Sequence, residues 1–310
     1  MKMIETSPST HTARVPGTLA RKEATSLHRL GLGEKLPETR SGWRRFTRDP
    51  IAIFAFATLL VLAIAALLAP IITPYDPSRI NLAKTVQPPG ADHLLGTDLL
   101  GRDLFARSLY GARISLAVGV SSAAIAAILG LALGLVAAYR SGWIDVVVTR
   151  LVDASLAMPA LFVLIAVQSI LGPSVINVVL MVSLVGWMLI ARAVRALTLS
   201  LKEREFILAA RALGCSGSRI VLRHLLPNLA GQVIVLFALG IADALLIESA
   251  LSFLGMGIPA SVPSWGNMLS DAQTAILSGA WWVAVVPGAL ILWAALAINL
   301  LGDGLQEVML

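Results

Sequence analysis

The chain has 310 residues, 57% of them hydrophobic and only 14% charged, and its mean hydropathy is +0.83. These values exclude an ordinary soluble domain and describe a polytopic membrane protein. The formal net charge of +6 does not point to nucleic acid. The basic residues sit in the N-terminal tail and between the hydrophobic runs, where they orient spanning helices against the cytoplasm.

Met1 to Pro50 is polar, rich in Ser, Thr, Arg and Glu, and without a sustained period, so it is expected to be largely disordered. A secretory signal would carry its apolar core nearer the start. Here the first apolar run begins at Ile51, and the first span is expected to be retained. Just before it, Trp43, Arg44, Arg45, Phe46 and Arg48 form an aromatic and basic anchor suited to cytoplasmic headgroups, which places the N-terminus inside.

Ile51 to Ile72 is long enough, at about 1.5 Å per residue, to cross a hydrocarbon core of about 30 Å. Thr73 to Tyr110 then turns polar, with Pro74, Pro77, Pro88 and Pro89 favouring extended backbone, and is expected outside the cell. Within it Leu100, Leu104 and Leu109 are spaced to form an apolar stripe opposite Asp98, Arg102 and Asp103. That pattern predicts a helix lying on the membrane surface, although a plain loop with a few opposite charges accounts for it equally well.

Arg113 to Ala138 is apolar again and carries small residues in a pattern, Gly119, Ala123 and Ala127, then Gly130 and Gly134. Small residues four apart let helices approach closely in lipid, so this span is read as a tightly packed core helix. Tyr139 to Arg150 is expected to be a cytoplasmic turn, and Leu151 to Leu171 an outward span kinked at Pro159. Gly172 and Pro173 make an outer hairpin, and Val175 to Leu197 returns inward, ending with Arg192 and Arg195.

A polar, basic stretch follows, Ser200 to Asn228. Ser200 with Glu203 three residues on reads as a capping box that starts a short helix. Gly214 suits the left-handed residue that stops it, and Pro227 is expected to end a second short helix. Phe206, Ala209, Ala210 and Leu213 fall on one apolar, small-residue face, with Arg204 and Arg211 mostly on others. A cytoplasmic loop collecting Lys and Arg by the positive-inside rule is the plain alternative. Leu229 to Leu254 then spans outward, a Gly, Pro and Ser-rich outer segment runs to about Gly279, and Trp281 to Leu301 returns. The count is six transmembrane helices with both termini inside. No Lys or Arg follows Arg223, so the direction of the last hairpin rests on that count.

Two carboxylates, Asp243 and Glu248, lie inside the fifth apolar run. A charge at mid-bilayer costs about 2.5 to 3.5 kcal/mol on insertion scales, so neither is expected to face lipid. Each reads either as part of a substrate path or proton relay, or as a group buried against neighbouring helices. None of Lys2, Lys22, Lys35, Lys84 or Lys202 ends a GxxxxGK[ST] loop, so the chain is not expected to hydrolyse ATP itself. His11, His28, His93 and His224 lack metal-ligand spacing, and the single cysteine, Cys215, offers neither a disulfide framework nor a metal site. No catalytic constellation can be assembled, and no cofactor is expected in the chain.

From about Trp43 to the C-terminus the sequence resembles the inner-membrane permease subunits of binding-protein-dependent ABC importers, in particular the C-type permeases of the dipeptide, oligopeptide and nickel group. The family's loop signature reads Glu-Ala-Ala, three residues, Gly, nine residues, then a stretch ending in Leu-Pro. Ala209, Ala210, Gly214, Leu226 and Pro227 hold those places, with Leu208 where the Glu usually stands and His224 at a later apolar place. GTDLLGRD from Gly96, YGARISL from Tyr110, GWIDVVVTRLVD from Gly142, SLKEREF from Ser200 and SFLGMGIPASVPSWGNML from Ser252 also resemble that group.

The resemblance implies an all-α integral membrane protein with the type I ABC importer permease fold: a cytoplasmic tail (1–50), a first transmembrane helix (51–72), an extracytoplasmic segment (73–110) and a permease core (111–305) containing a cytoplasmic coupling loop (200–228). It implies that Glu205, Ala209, Ala210, Arg211, Leu213, Gly214 and Pro227 couple to an ATPase, with Asp243 and Glu248 as candidates for the translocation path. Implied partners are a second homologous permease, two ATPase subunits that bind ATP and Mg, an extracytoplasmic binding protein and membrane lipid, in a bacterial inner membrane. The implied cargo is a di- or oligopeptide. Nickel or another small solute, a stand-alone secondary transporter using Asp243 and Glu248, and a membrane anchor for a partner remain the alternatives.

Overall fold

The computed structural model describes residues 49–309, and the expectations made for the N-terminal tail and its aromatic and basic anchor lie outside them. The regular secondary structure of the described residues is helical, apart from one isolated bridge between Thr97 and Asp103. In chain order the helices are α1 (Pro50–Leu67), α2 (Ala69–Ile72), α3 (Leu104–Arg140), α4 (Trp143–Leu156), α5 (Ala160–Leu171), α6 (Val175–Lys202), α7 (Glu205–Ala212), α8 (Gly217–Ile220), α9 (Leu226–Phe253), α10 (Trp265–Ser270), α11 (Ala272–Leu277) and α12 (Trp282–Met309). Five helices are long and apolar enough to cross a membrane: α1, α3, α6, the continuous run Gly217–Phe253 and α12. A sixth crossing results if α4 and α5 count as one span, broken at Ala157 to Pro159 by a 91° bend.

Asp49 starts α1, its carboxylate accepting the Ile51 N–H at 2.9 Å, with Pro50 in the first turn where a missing N–H costs nothing. At the far end of that helix the last carbonyls are taken by a side chain 46 positions away: Arg113 donates from Nη2 to Leu67 O at 2.7 Å and from Nε to Ala66 O. The cation therefore completes the orphan carbonyls of a neighbouring helix end.

The long central helix α3 begins earlier than hydropathy alone predicts. Asp103 caps it, accepting the Ala106 N–H at 2.7 Å, and the helix then runs unbroken for 37 residues. No separate helix lies on the membrane surface at Leu100 to Leu109. Asp98, Arg102 and Asp103, expected on a polar exposed face, are instead buried. Asp98 accepts the N–H groups of Leu100 and Arg102 and pairs with Arg102 Nε at 2.6 Å, while Asp103 pairs with His93 Nδ1 at 2.8 Å. The charges turn inward because the backbone of a tight turn and a helix start need those acceptors.

Small residues on α3 set the packing of the bundle. A Cβ on Gly134 would fall 2.5 Å from Ala191 O on α6, and one on Gly130 would fall 2.7 Å from Ile190 Cβ. On the other side Gly119 meets Ile241, and Ala123 meets Gly240, both on α9. α3 is thus sandwiched by α6 and α9 at near backbone contact, the arrangement small residues permit where no hydrophobic drive exists between helices in lipid. One apolar cluster lies at the end of the bundle that bears α7, with Val152, Trp187, Val194, Ile207 and Leu225. Another lies toward the opposite end around Leu104, Trp265 and Trp282.

Candidate functional site

The stretch between α6 and α9 folds differently from its expected capping. Ser200 is an interior residue of α6, which runs on to Lys202, and Glu203 is that helix's C-cap. The predicted capping box is therefore absent: a residue whose amide is already inside a helical ladder cannot act as an N-cap. The N-cap of α7 falls instead to Arg204, whose backbone is extended and whose side chain makes no cap bond. Glu205 supplies an acidic side chain in the first turn, where it complements the helix dipole. Only Glu203 and Arg204 separate α6 from α7. Lys202 fastens the joint to the end of α3, donating to Ala138 O at 2.8 Å and to Ser141 Oγ at 3.0 Å.

The eight residues of α7 divide into two faces. Ile207 and Ala210, one turn apart, are buried against the bundle. Glu205, Phe206, Leu208, Ala209, Arg211 and Leu213 are exposed, Leu213 at 84% of its full area. The face predicted from Phe206, Ala209, Ala210 and Leu213 is thus split, because Ala210 belongs to the inward side. Gly214 ends the helix as expected from sequence: its φ is +77°, its N–H bonds Arg211 O at 2.9 Å, and Cys215 N–H bonds Ala210 O at 3.0 Å. This is the Schellman arrangement, in which a left-handed residue closes the last carbonyls.

Pro227 does not end the second short helix. α8 passes through a π-helical turn, Val221–Leu225, straight into α9, and Pro227 occupies the first turn of that last segment. The wider turn explains the tolerance: Leu226 N–H reaches back five residues to Val221 O, so the proline ring does not meet an α-helical ladder. Asn228 Nδ2 also donates to His224 O at 2.6 Å, supplying a side-chain donor beside the proline. The imidazole of His224 sits 6.4 Å, centre to centre, from the Phe206 ring, linking α7 to this turn.

Farther along α9 the two candidate carboxylates have opposite surroundings. Glu248 is completely buried; Ser252 Oγ donates to it at 2.9 Å, and Ser115 Oγ on α3 lies 3.3 Å away. The same serines hold the chain that follows α9, Ser252 accepting the Ile258 N–H at 3.2 Å and Ser115 the Trp265 N–H at 3.1 Å. Glu248 is thus the centre of a closed polar knot. Asp243 is exposed and makes no hydrogen bond or ion pair with any described residue. It borders a 180 Å³ cavity between α3, α6 and α9.

Two ion pairs that sequence reasoning did not single out join α4 to α6. Asp145 receives both nitrogens of Arg195, and Asp153 pairs with Arg192 at 2.7 Å. In the sequence the arginines read only as orientation signals. Their spacing of three on α6, facing two acids eight apart on α4, was the available clue.

Residues 130–309 match the family described as "Binding-protein-dependent transport system inner membrane component", and residues 39–89 match "N-terminal TM domain of oligopeptide transport permease C". The chain is 39% identical over 288 residues to the dipeptide transport system permease protein DppC of Bacillus subtilis, covering 93% of this chain and 89% of that protein. It is also 39% identical over 270 residues to the protein of the same name from Alkalihalophilus pseudofirmus, covering 87% and 88%. The all-helical bundle, the small-residue packing of α3 and the rigid helix between α6 and α9 accord with these matches. The chain is a multi-pass membrane protein that belongs to the binding-protein-dependent transport system inner membrane component family of permease subunits, with the type I ABC importer permease fold.

Proposed function

We propose that this chain is one of two permease subunits of an ATP-driven importer of di- or oligopeptides in a bacterial inner membrane. The observation that carries the reading is α7: a short helix, stopped at Gly214, buried on one side through Ile207 and Ala210 and exposed on the other through Phe206, Leu208, Ala209 and Leu213. An exposed apolar face on a helix anchored to two spanning helices suits docking into a groove of another subunit. That subunit is an ATPase, which with its twin binds ATP and Mg and closes on them. Glu205 and Arg211 flank the docking face, Gly214 sets its length, and Pro227 fixes the start of α9 behind it. Both termini and α7 lie in the cytoplasm, and the segments around residues 73–103 and 254–281 meet an extracytoplasmic binding protein. The peptide cargo is supported by the names of the two relatives.

The test is reconstitution of the chain with its second permease, two ATPases and binding protein in proteoliposomes. Uptake of a labelled dipeptide is expected only with ATP present and with all subunits present. Uptake driven by a proton gradient through this chain alone would overturn the reading in favour of a secondary transporter. ATP-dependent uptake of nickel but of no peptide would retain the importer and replace the cargo.

A further inference from the structure

Asp243 lacks the hydrogen-bond partners that the buried carboxylates among the described residues possess. Asp98, Asp103 and Glu248 are each enclosed by hydrogen-bond donors. Asp243 has no such donors, although it stands ten residues before the end of α9, about 15 Å at helical rise and so about halfway through a 30 Å hydrocarbon core. An unpaired carboxylate at that depth is not left against lipid; it faces protein or water. Beside it the chain forms a 180 Å³ concavity whose lining includes Ala123, Gly186 and Gly240. Among the described residues Asp243 is the only charged one lining it, and the Ser122 hydroxyl there already points at Val179 O, 3.4 Å away. A concavity walled by small and branched apolar residues, with one anionic group and no cation among its described lining residues, suits a small cationic group that arrives from elsewhere.

We propose that Asp243 is the counter-charge for the N-terminal ammonium of a peptide passing through the permease. The inference rests on the peptide-importer reading above and adds the residue that recognises one end of the cargo. The ammonium donates to the carboxylate, while the adjoining Cα and first side chain occupy the apolar-walled space. A hydrogen bond between two charged groups is short and strong, and it replaces the water the ammonium leaves behind.

The test uses the complete transporter in proteoliposomes and compares trialanine with N-acetyltrialanine, each presented on binding protein already loaded with it. The wild-type complex is expected to import the free amine at least about 10-fold faster per loaded binding protein, the low end for a hydrogen bond to a charged group. Asp243→Asn is expected to slow free-amine import until the ratio approaches one, and Asp243→Glu to restore much of the preference. A wild-type ratio near one, or an unchanged ratio in Asp243→Asn, overturns the proposal. Loss of the second permease from purified Asp243→Asn complex also overturns it, by assigning the carboxylate to a contact between subunits. Failure of the wild-type complex to import either peptide instead removes the peptide reading on which the inference stands.

Discussion

Arg195 on α6 grips Asp145 on α4 with two prongs, Nε at 2.5 Å from one carboxylate oxygen and Nη2 at 2.8 Å from the other. This planar match ties the first half of the broken span to the helix that leads into α7, on the near side of the 91° bend. The pair is partly exposed, so a double-mutant cycle on thermal unfolding in detergent is expected to give a coupling energy of about 1 kcal/mol. Arg195→Lys should lose most of it, since an ammonium cannot span both oxygens. The exchange Asp145→Arg with Arg195→Asp should recover transport that either single reversal abolishes; transport equal to wild type in both single reversals would show that the clip has no function.

Glu248 makes a second, independent prediction. Its carboxylate organises hydroxyls that in turn hold Ile258 and Trp265, so Glu248→Ala leaves Ser115 and Ser252 without their buried acceptor. A loss of about 1 to 3 kcal/mol for each buried polar group left unpaired is expected, seen as a lower Tm in detergent. Glu248→Gln, which keeps one carbonyl acceptor, should retain most of the stability. Equal Tm for the alanine variant and wild type would contradict the arrangement.

On α7 the two faces should respond differently. Leu213→Asp alters an exposed side chain, so stability should stay within about 0.5 kcal/mol while peptide-stimulated ATP hydrolysis in the assembled transporter collapses. Ala210→Trp forces a large ring into the inward side and should cost about 1 to 3 kcal/mol of stability, seen as a lower Tm. At Gly214 a Cβ would meet nothing within 4 Å, so Gly214→Ala costs only the left-handed backbone, about 1 to 2 kcal/mol. A coupling defect in Ala210→Trp with unchanged Tm would place that residue on the docking face instead.

The contact of α3 with α6 gives the sharpest steric prediction. Gly134→Val places its Cβ against the backbone carbonyl of Ala191 and cannot be relieved by a rotamer change. The helices must separate, and the folded protein should be lost from detergent-stable material on size-exclusion chromatography. Gly288→Ala, with open space around it, is the control and should elute as wild type.

Hydropathy located the spanning segments because each is a long apolar run whatever it packs against. The ends of those runs were harder to read, since they depend on partners distant in sequence. Leu104–Arg140 begins among charges that hydropathy assigns to solvent, and only the fold shows Asp98 and Arg107 buried together. Ser200 and Glu203 have capping-box spacing but lie at the end of a helix already under way, where local spacing cannot tell a start from a stop. Gly214 was legible because a left-handed stop is a property of the residue itself. Pro227 was misleading because the π-turn before it, formed with Val221, leaves no mark in the local pattern.

In mechanical terms α6 has no single pivot on α3. Ser122 Oγ lies 3.4 Å from Val179 O near the start of α6, Gly134 lies against Ala191 farther along, and Lys202 in its last turn donates to Ala138 O at 2.8 Å. Contacts spread over the whole length of a closely packed pair make the two helices yield together, so a displacement delivered at α7 is carried into α3 as well as α6.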